Sequence, residues 1–236
     1  MPFKHCSYRT FAPLFMAVLL LTGCETRSIS NAGYPGSTNA LYRGELADLD
    51  VLGVQNSGPI TDEHIADTLV ASRKIAPRPD EPILVVQSGA QTPDSEFLTA
   101  LDAHFTIGTF SGIPPQSRDD FARKIRLIAA QGGYGQILCY WGTLESAKTN
   151  EVTKAVSWVP IAGWLLPDQT QKMRIALRAV LIDVQSGNWR MYRPVPLDDE
   201  QLSAIFNRRG SDQDQVVRLK QAGYTALAHD LIESAG

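Results

Sequence analysis

Cysteine is scarce in this chain of 236 residues, which contains only Cys6, Cys24 and Cys139. A small secreted domain held together by disulfides needs several cysteines in pairs, so the sequence excludes that class of protein. Cys139 lies in the apolar run Gln136–Trp141, which is typical of a buried strand. We therefore interpret Cys139 as a small core residue rather than a nucleophile.

An excess of positive charge is also missing, since 22 Lys and Arg stand against 25 Asp and Glu, for a formal net charge of −3. Proteins that bind nucleic acid usually carry a concentrated basic patch that displaces counterions from the phosphates. The composition therefore argues against a nucleic-acid partner.

Motifs that carry chemistry are absent as well. The sequence has no Gly-x-Ser-x-Gly elbow, no His-Glu-x-x-His helix and no phosphate-binding glycine loop. His64, His104 and His229 lack metal-ligand spacing, so we expect neither a metal nor a cofactor. Ser88 and Ser111 follow predicted strands, where α/β folds place reactive groups. These two serines keep an envelope hydrolase open as an alternative function.

The chain does contain a leader at its N-terminus. Lys4 and Arg9 give the leader positive charge, residues 11–21 are apolar apart from one proline, and the pair Gly23–Cys24 follows. The apolar stretch is too short to cross a bilayer comfortably as a permanent helix. We therefore predict a cleaved export signal over residues 1–23.

The end of this leader, Leu21-Thr22-Gly23-Cys24, resembles the lipobox of bacterial lipoproteins. In that family the leader is cut before the cysteine, which then carries acyl chains, so the resemblance implies a membrane anchor on Cys24. The next residue, Glu25, is not the Asp associated with inner-membrane retention in enteric lipoproteins, which favours the outer membrane. The implied location is the cell envelope, facing the periplasm. An ordinary signal or an uncleaved anchor with an incidental cysteine is the alternative.

Beyond the anchor, residues 25–43 are rich in Ser, Gly, Asn and Thr, a composition typical of a flexible tether. We expect a tether over residues 24–45 and a single periplasmic domain, with a C-terminal helical extension, over residues 46–236. Within that domain we expect a short strand at Leu52–Val54. Thr61 is the predicted N-cap of a helix that carries Ile65, Leu69 and Val70 on one side.

Alternating helices and apolar strands indicate an α/β fold, with α+β as the alternative, built on a small mixed sheet flanked by helices. Ile83–Val86 predicts a strand covered on both faces, and helices are expected over residues 93–104 and from Ser117 onwards. The alternation over residues 172–184, followed by the turn Gln185–Asn188, predicts a hairpin. Two helices are expected after residue 200.

This order of elements, ending in the hairpin over Ala179–Trp189, is similar to the α/β domain of the CsgG family of curli-secretion lipoproteins and to the N-terminal domain of TolB. The similarity covers roughly residues 80–195. It implies binding or assembly in the envelope rather than catalysis, and it adds a secretion ring as a further alternative. No functional residue of those families can be transferred to this sequence.

The most unusual segment covers residues 155–167, thirteen residues without charge that include two tryptophans. It is too short to span a bilayer as a helix. It either covers an open sheet face or forms an apolar patch that contacts a partner or the membrane surface. With two charges on the neighbouring predicted strand, it supplies the candidate partner-binding residues Trp158, Ile161, Trp164, Leu165, Arg174 and Arg178.

Our leading hypothesis is therefore a non-enzymatic envelope lipoprotein that binds another envelope component or a second copy of itself. Its mechanism would be positional, because the anchor on Cys24 raises the effective concentration of the domain for any partner within reach.

Overall fold

The computed structural model describes residues 25–31, 39, 41–53, 59–148, 171–198 and 212–235. These residues form a mixed seven-stranded sheet with helices packed on both faces, which confirms the expected α/β fold. The strands are β1 (Glu25–Ser28), β2 (Ile83–Ser88), β3 (Ile107–Gly112), β4 (Gln136–Lys148), β5 (Gln171–Asp183), β6 (Trp189–Tyr192) and β7 (Leu197–Asp198). The helices are α1 (Asp48–Leu52), α2 (Asp62–Ala71), α3 (Ser95–Asp102), α4 (Phe121–Gln131) and α5 (Asp212–Ala235).

The central order of the sheet is β3-β2-β4-β5-β6. β2 runs parallel to both β3 and β4, whereas β5 is antiparallel to β4 and to β6. The two long strands have different neighbours along their lengths. β4 pairs with β2 over residues 136–140 and with β1 over residues 143–146, while β5 pairs with β6 and, nearer its start, with β7.

The second half of β4 and the first half of β5 therefore extend beyond the parallel core. Together with β1 and β7 they make an antiparallel extension, which we call the arm. It consists of Glu25–Ser28, residues 143–148, residues 171–176 and Leu197–Asp198.

Two hydrophobic clusters lie on opposite faces of the sheet. All six residues of β2 are buried, which confirms the prediction that this strand is covered on both faces. Val85 belongs to the cluster formed with α3 and α5, and its neighbour Val86 to the cluster formed with α1 and α4. Successive residues of a strand point to opposite faces, so the continuous apolar run supplies both clusters.

Two local predictions were wrong. Residues 48–52 form a helix and not a strand near Leu52; the Ala47 N–H donates to the Asp50 carboxylate at 2.9 Å, and Gly53 ends the helix with a φ of 70°. A three-residue apolar run is too short to distinguish the two structures. Ser117 does not cap α4, which begins at Phe121; the Ser117 hydroxyl instead accepts the Asp119 N–H at 3.3 Å.

The helix α2 begins as predicted, because the Thr61 hydroxyl accepts the His64 N–H at 3.2 Å. Its apolar side is largely exposed in the part of the chain that the structure describes. Ile65, Leu69 and Val70 are 56%, 75% and 80% exposed. The amphipathic pattern thus identified the helix correctly but not the environment of its apolar side.

The predicted hairpin between β5 and β6 is confirmed. At its turn the Asp183 carboxylate accepts hydrogen bonds from the Ser186 N–H and hydroxyl, both at 2.7 Å, and an ion pair from Arg78 at 2.8 Å. Gly187 has a φ of 76°, a conformation that glycine adopts without strain. Burial acts to raise the pKa of Asp183, but the bonds from Ser186 and Arg78 outweigh it and hold the pKa below its usual value.

Asp183→Asn should lower the free energy of unfolding on the order of 1 kcal/mol at pH 7, because a charged acceptor of three hydrogen bonds is lost. A depressed folded pKa stabilises the protein above the unfolded pKa of about 3.9, and this contribution disappears as the pH falls through the folded pKa. Urea unfolding at pH 7 and pH 3.5 should therefore show a difference in the free energy of unfolding between parent and variant that is smaller at pH 3.5. Asp80→Asn, at an exposed position, is the matched control. An equal deficit at both pH values would contradict this account.

Candidate functional site

The residues directly after Cys24 belong to the sheet. Glu25 is the Cα partner of Ser146 and Ser28 that of Thr143, so β1 lies antiparallel to the second half of β4. Ile29 follows; it is only 1% exposed, and its N–H donates to the Gly142 carbonyl at 2.9 Å. Here the structure differs from the expected tether over residues 24–45. Composition alone cannot reveal that a short polar segment pairs with the free edge of a distant strand.

Gly142 makes this arrangement possible. A Cβ atom at this position would lie 2.4 Å from Leu177 Cδ2 and 2.9 Å from the Ile29 side chain. These distances are well below van der Waals contact, so a larger residue at this position would displace the side chains of Ile29 and Leu177, both of which belong to the core over β4.

A groove of about 880 Å³ opens beside the arm. It runs along β1, β4 and β5 and is closed on one side by the segment that leads from β6 to β7. We call it the arm groove. The lining residues that carry its chemistry are Tyr42, Glu45, Trp141, Arg178, Pro194 and Pro196.

Arg178, one of the residues singled out from the sequence, lies in this groove. Its guanidinium is 2.5 Å from an Asp48 carboxylate oxygen and 4.8 Å from the centre of the Trp141 ring. The Trp141 indole N–H donates to the Leu46 carbonyl at 2.8 Å, which holds the ring in place. Arg178 is thus a positioned cation that is still about one third exposed, and stacking on an indole adds a cation–π contact to its ion pair.

Glu45, which precedes α1, lines the arm groove, and Asp48, the first residue of α1, is the ion-pair partner of Arg178. One Glu45 oxygen accepts the Ser28 hydroxyl, while the other oxygen of Glu45 and one oxygen of Asp48 are buried without a hydrogen-bond partner among the described residues. Burial, together with the nearby charge of Glu45, raises the pKa of Tyr42 and keeps its hydroxyl protonated. The groove therefore offers hydrogen-bond acceptors, a hydrogen-bond donor, a cation and aromatic surface, which are the groups that bind a polar ligand.

The serines predicted as possible nucleophiles have other roles. Ser88 is 1% exposed, and its hydroxyl accepts the Leu46 N–H at 2.8 Å. The Ser111 hydroxyl accepts the Ile113 N–H at 3.3 Å. No histidine in the described part of the chain hydrogen-bonds to either serine, so this part supplies no nucleophile with its base.

A buried polar network fills the end of β2, and sequence reasoning missed it. The side-chain oxygen Oε1 of Gln87 accepts the Tyr140 hydroxyl and the Asp94 N–H, both at 2.6 Å. The Asp94 carboxylate in turn accepts Lys220 at 2.8 Å and the Tyr224 hydroxyl. Burial raises the pKa values of both tyrosines well above their usual value.

This network occupies the position where open α/β sheets most often bind ligands. Connections from β2 and β3 leave in opposite directions across the sheet, which creates a switch point at the carboxyl end of β2. Here Gln87, Tyr140 and Tyr224 fill that crevice with side chains of the protein itself. The arm groove is therefore the better candidate site.

Cys139 is fully buried, which confirms its role as a core residue. Burial raises the pKa of its thiol well above the usual value, which disfavours the reactive thiolate. The described ranges contain no group of three His, Cys, Asp or Glu that could hold a metal ion. Nor do they contain a helix long and apolar enough to cross a membrane.

Four of the candidate partner-binding residues, Trp158, Ile161, Trp164 and Leu165, lie outside the described residues, as do the predicted anchor Cys24 and the predicted helix near residue 202. Of the remaining two, Arg174 lies in the arm between Glu145 and Asp198 in the strand register, and Arg178 lies four residues further along β5 on the same face.

A comparison with family models decides the class of protein. The model described as YafT bacterial lipoprotein matches residues 47–234. The chain belongs to the YafT bacterial lipoprotein family. Membership supports association with the cell envelope through a membrane anchor. In a comparison with curated proteins, nothing matches the chain.

Gly142→Ala should lower the free energy of unfolding by about 1–3 kcal/mol, because the added methyl group overpacks the contact between Ile29 and Leu177. In an open strand position the same change would stabilise the protein slightly, so the sign of the effect tests the contact. Urea unfolding of the processed protein, followed by tryptophan fluorescence, measures it. Thr109→Ala, at an exposed position of β3, is the control. A Gly142→Ala variant as stable as the parent would disprove the close approach.

Proposed function

We propose that this lipoprotein is acylated on Cys24 and binds another envelope component, without chemistry of its own. One observation carries the proposal: Glu25, the residue after Cys24, pairs with Ser146 near the end of β4. An anchor on Cys24 is therefore only one residue from a strand that pairs with the end of the arm.

The same end of the sheet is where the uncharged segment leaves and returns. β4 ends at Lys148 and β5 begins at Gln171, and these two residues are paired. The connection between them includes residues 155–167, with two tryptophans and no charge. A partner that contacts this segment would thus be captured next to the membrane, where the anchor raises the effective concentration.

We further propose that Trp158, Ile161, Trp164 and Leu165 contact the partner, with Arg174 and Arg178 contributing from β5. Tryptophan and arginine carry a disproportionate share of the energy of protein interfaces, since each combines apolar area with a polar group. Arg178 supports this role, because it is held in an open groove by Asp48 and Trp141.

The outer membrane is the proposed location, on the grounds of Glu25 after the anchor. The similarity to CsgG keeps self-association into a ring as the alternative form of binding, and native mass measurement of the purified lipoprotein separates a monomer from a ring. We also retain one domain after the leader, now with β1 as part of its sheet.

Cys24→Ser should abolish incorporation of labelled palmitate and move the protein out of the membrane fraction, since serine offers no sulfur for the acyl anchor. Metabolic labelling and fractionation measure both effects. Cys139→Ala, which removes the other thiol of the processed chain, should keep the label. Palmitate incorporation in Cys24→Ser would refute the assigned anchor.

Replacing both Trp158 and Trp164 by Ala should reduce capture of the partner in cells by at least about tenfold, which corresponds to roughly 1.4 kcal/mol. Photo-crosslinking through position 161, with capture quantified relative to the parent, measures this loss. Trp189→Ala is the matched control, because this tryptophan is 48% exposed but lies at the opposite end of β5. Unchanged capture by the double variant would place the contact surface elsewhere.

A further inference from the structure

We propose that β1 holds the domain upright on the membrane, with the end of the arm at the lipid headgroups and α2 pointing away from them. This inference rests on the proposed acylation of Cys24. The surface that the end of the arm contacts is the membrane leaflet into which the acyl chains insert.

Very little backbone separates the proposed anchor from the sheet. Consecutive Cα atoms are about 3.8 Å apart, so an acyl anchor on Cys24 is a single residue from Glu25, which pairs with Ser146. A flexible tether of about 20 residues would instead let the domain move over roughly 25 Å. The difference between these two lengths decides whether the anchor can set an orientation.

Strand pairing, burial and hydrogen bonds join β1 and the residues after it to the core. Besides its four paired residues, Ile29 is buried at 1% exposure. The Ser30 hydroxyl donates to the Ser88 carbonyl at 2.6 Å and accepts the Gln87 amide at 3.1 Å. The segment thus connects the anchor to β2, in the centre of the sheet, within a few residues.

The strand register shows in which direction β5 runs from the end of the arm. Thr26, Glu145, Arg174 and Asp198 form a row across four neighbouring strands of the arm. From Arg174, β5 runs for nine residues to Asp183, which spans about 30 Å. The hairpin turn at its far end therefore lies well away from the anchor.

The helix α2 lies at that far end. His64, Ile65 and Thr68 line a cavity together with the turn residues 186–190. The exposed apolar side of α2, which includes Val70, is consequently held away from the leaflet in the upright orientation. In a domain lying on its side, this apolar surface would instead be free to enter the membrane.

The chemistry of the arm fits the headgroup region. The row across the arm contains Glu145, Arg174 and Asp198, and charged side chains are costly to place in hydrocarbon. The arm therefore stops at the polar surface while the acyl chains enter the leaflet. The acyl chains and this charged row together set the distance between the domain and the hydrocarbon of the membrane.

Single fluorophores at position 26 or 70 test the orientation. Thr26→Cys and Val70→Cys place the label at exposed positions, while Cys24 is blocked by acylation and Cys139 is buried. The labelled lipoproteins are reconstituted into phosphatidylethanolamine–phosphatidylglycerol vesicles that contain lipids spin-labelled at the headgroup. We expect loss of most fluorescence at position 26 and no loss at position 70.

The control inserts a linker of about twelve Gly and Ser residues between Cys24 and Glu25, which spans roughly 19 Å. It should restore the fluorescence at position 26, while palmitate incorporation and membrane binding persist. Equal quenching at both positions, or stronger quenching at position 70, would overturn the upright orientation but leave the anchor intact. Absence of palmitate and of vesicle binding in the parent would overturn the proposed function, and this inference with it.

Discussion

The pairing of β4 with β5 is the interaction on which the rest of the structure depends. Each strand contributes thirteen residues, about twice the usual length, and every residue of one has a partner in the other. The halves nearest the hairpin turn lie in the covered core, where β2 and β6 flank them. The other halves extend beyond the core, and their free edges accept β1 and β7.

The candidate site does not lie at the carboxyl ends of the parallel strands, where open α/β sheets usually bind their ligands. At the carboxyl end of β2, the network of Gln87, Tyr140, Asp94, Lys220 and Tyr224 fills the crevice, and every polar group in it has a partner. A buried network of this kind stabilises the fold only when it is fully satisfied. The candidate site is instead the arm groove, which Arg178, Glu45 and the rings of Tyr42 and Trp141 line.

The same extension includes the residues that directly follow Cys24. In a chain with a long linker, the anchor limits distance only, and the domain tumbles freely within that limit. Here an edge strand begins one residue after Cys24, and Gly142 provides the room for Ile29 to dock. The polar composition of residues 25–30 hides this role, because an edge strand that pairs through its backbone needs few apolar side chains.

By itself, the sequence determined what depends on neighbouring residues. The apolar run Ile83–Val86, the Thr61 cap and the turn that ends at Asn188 each follow from local backbone and side-chain preferences, and all three are present. The tertiary structure decided what depends on distant pairs. Asp94 and Tyr224 are 130 residues apart, and β1 pairs with a strand more than a hundred residues away. No local pattern encodes such contacts, because each is selected by packing and hydrogen bonding only once the whole chain has folded.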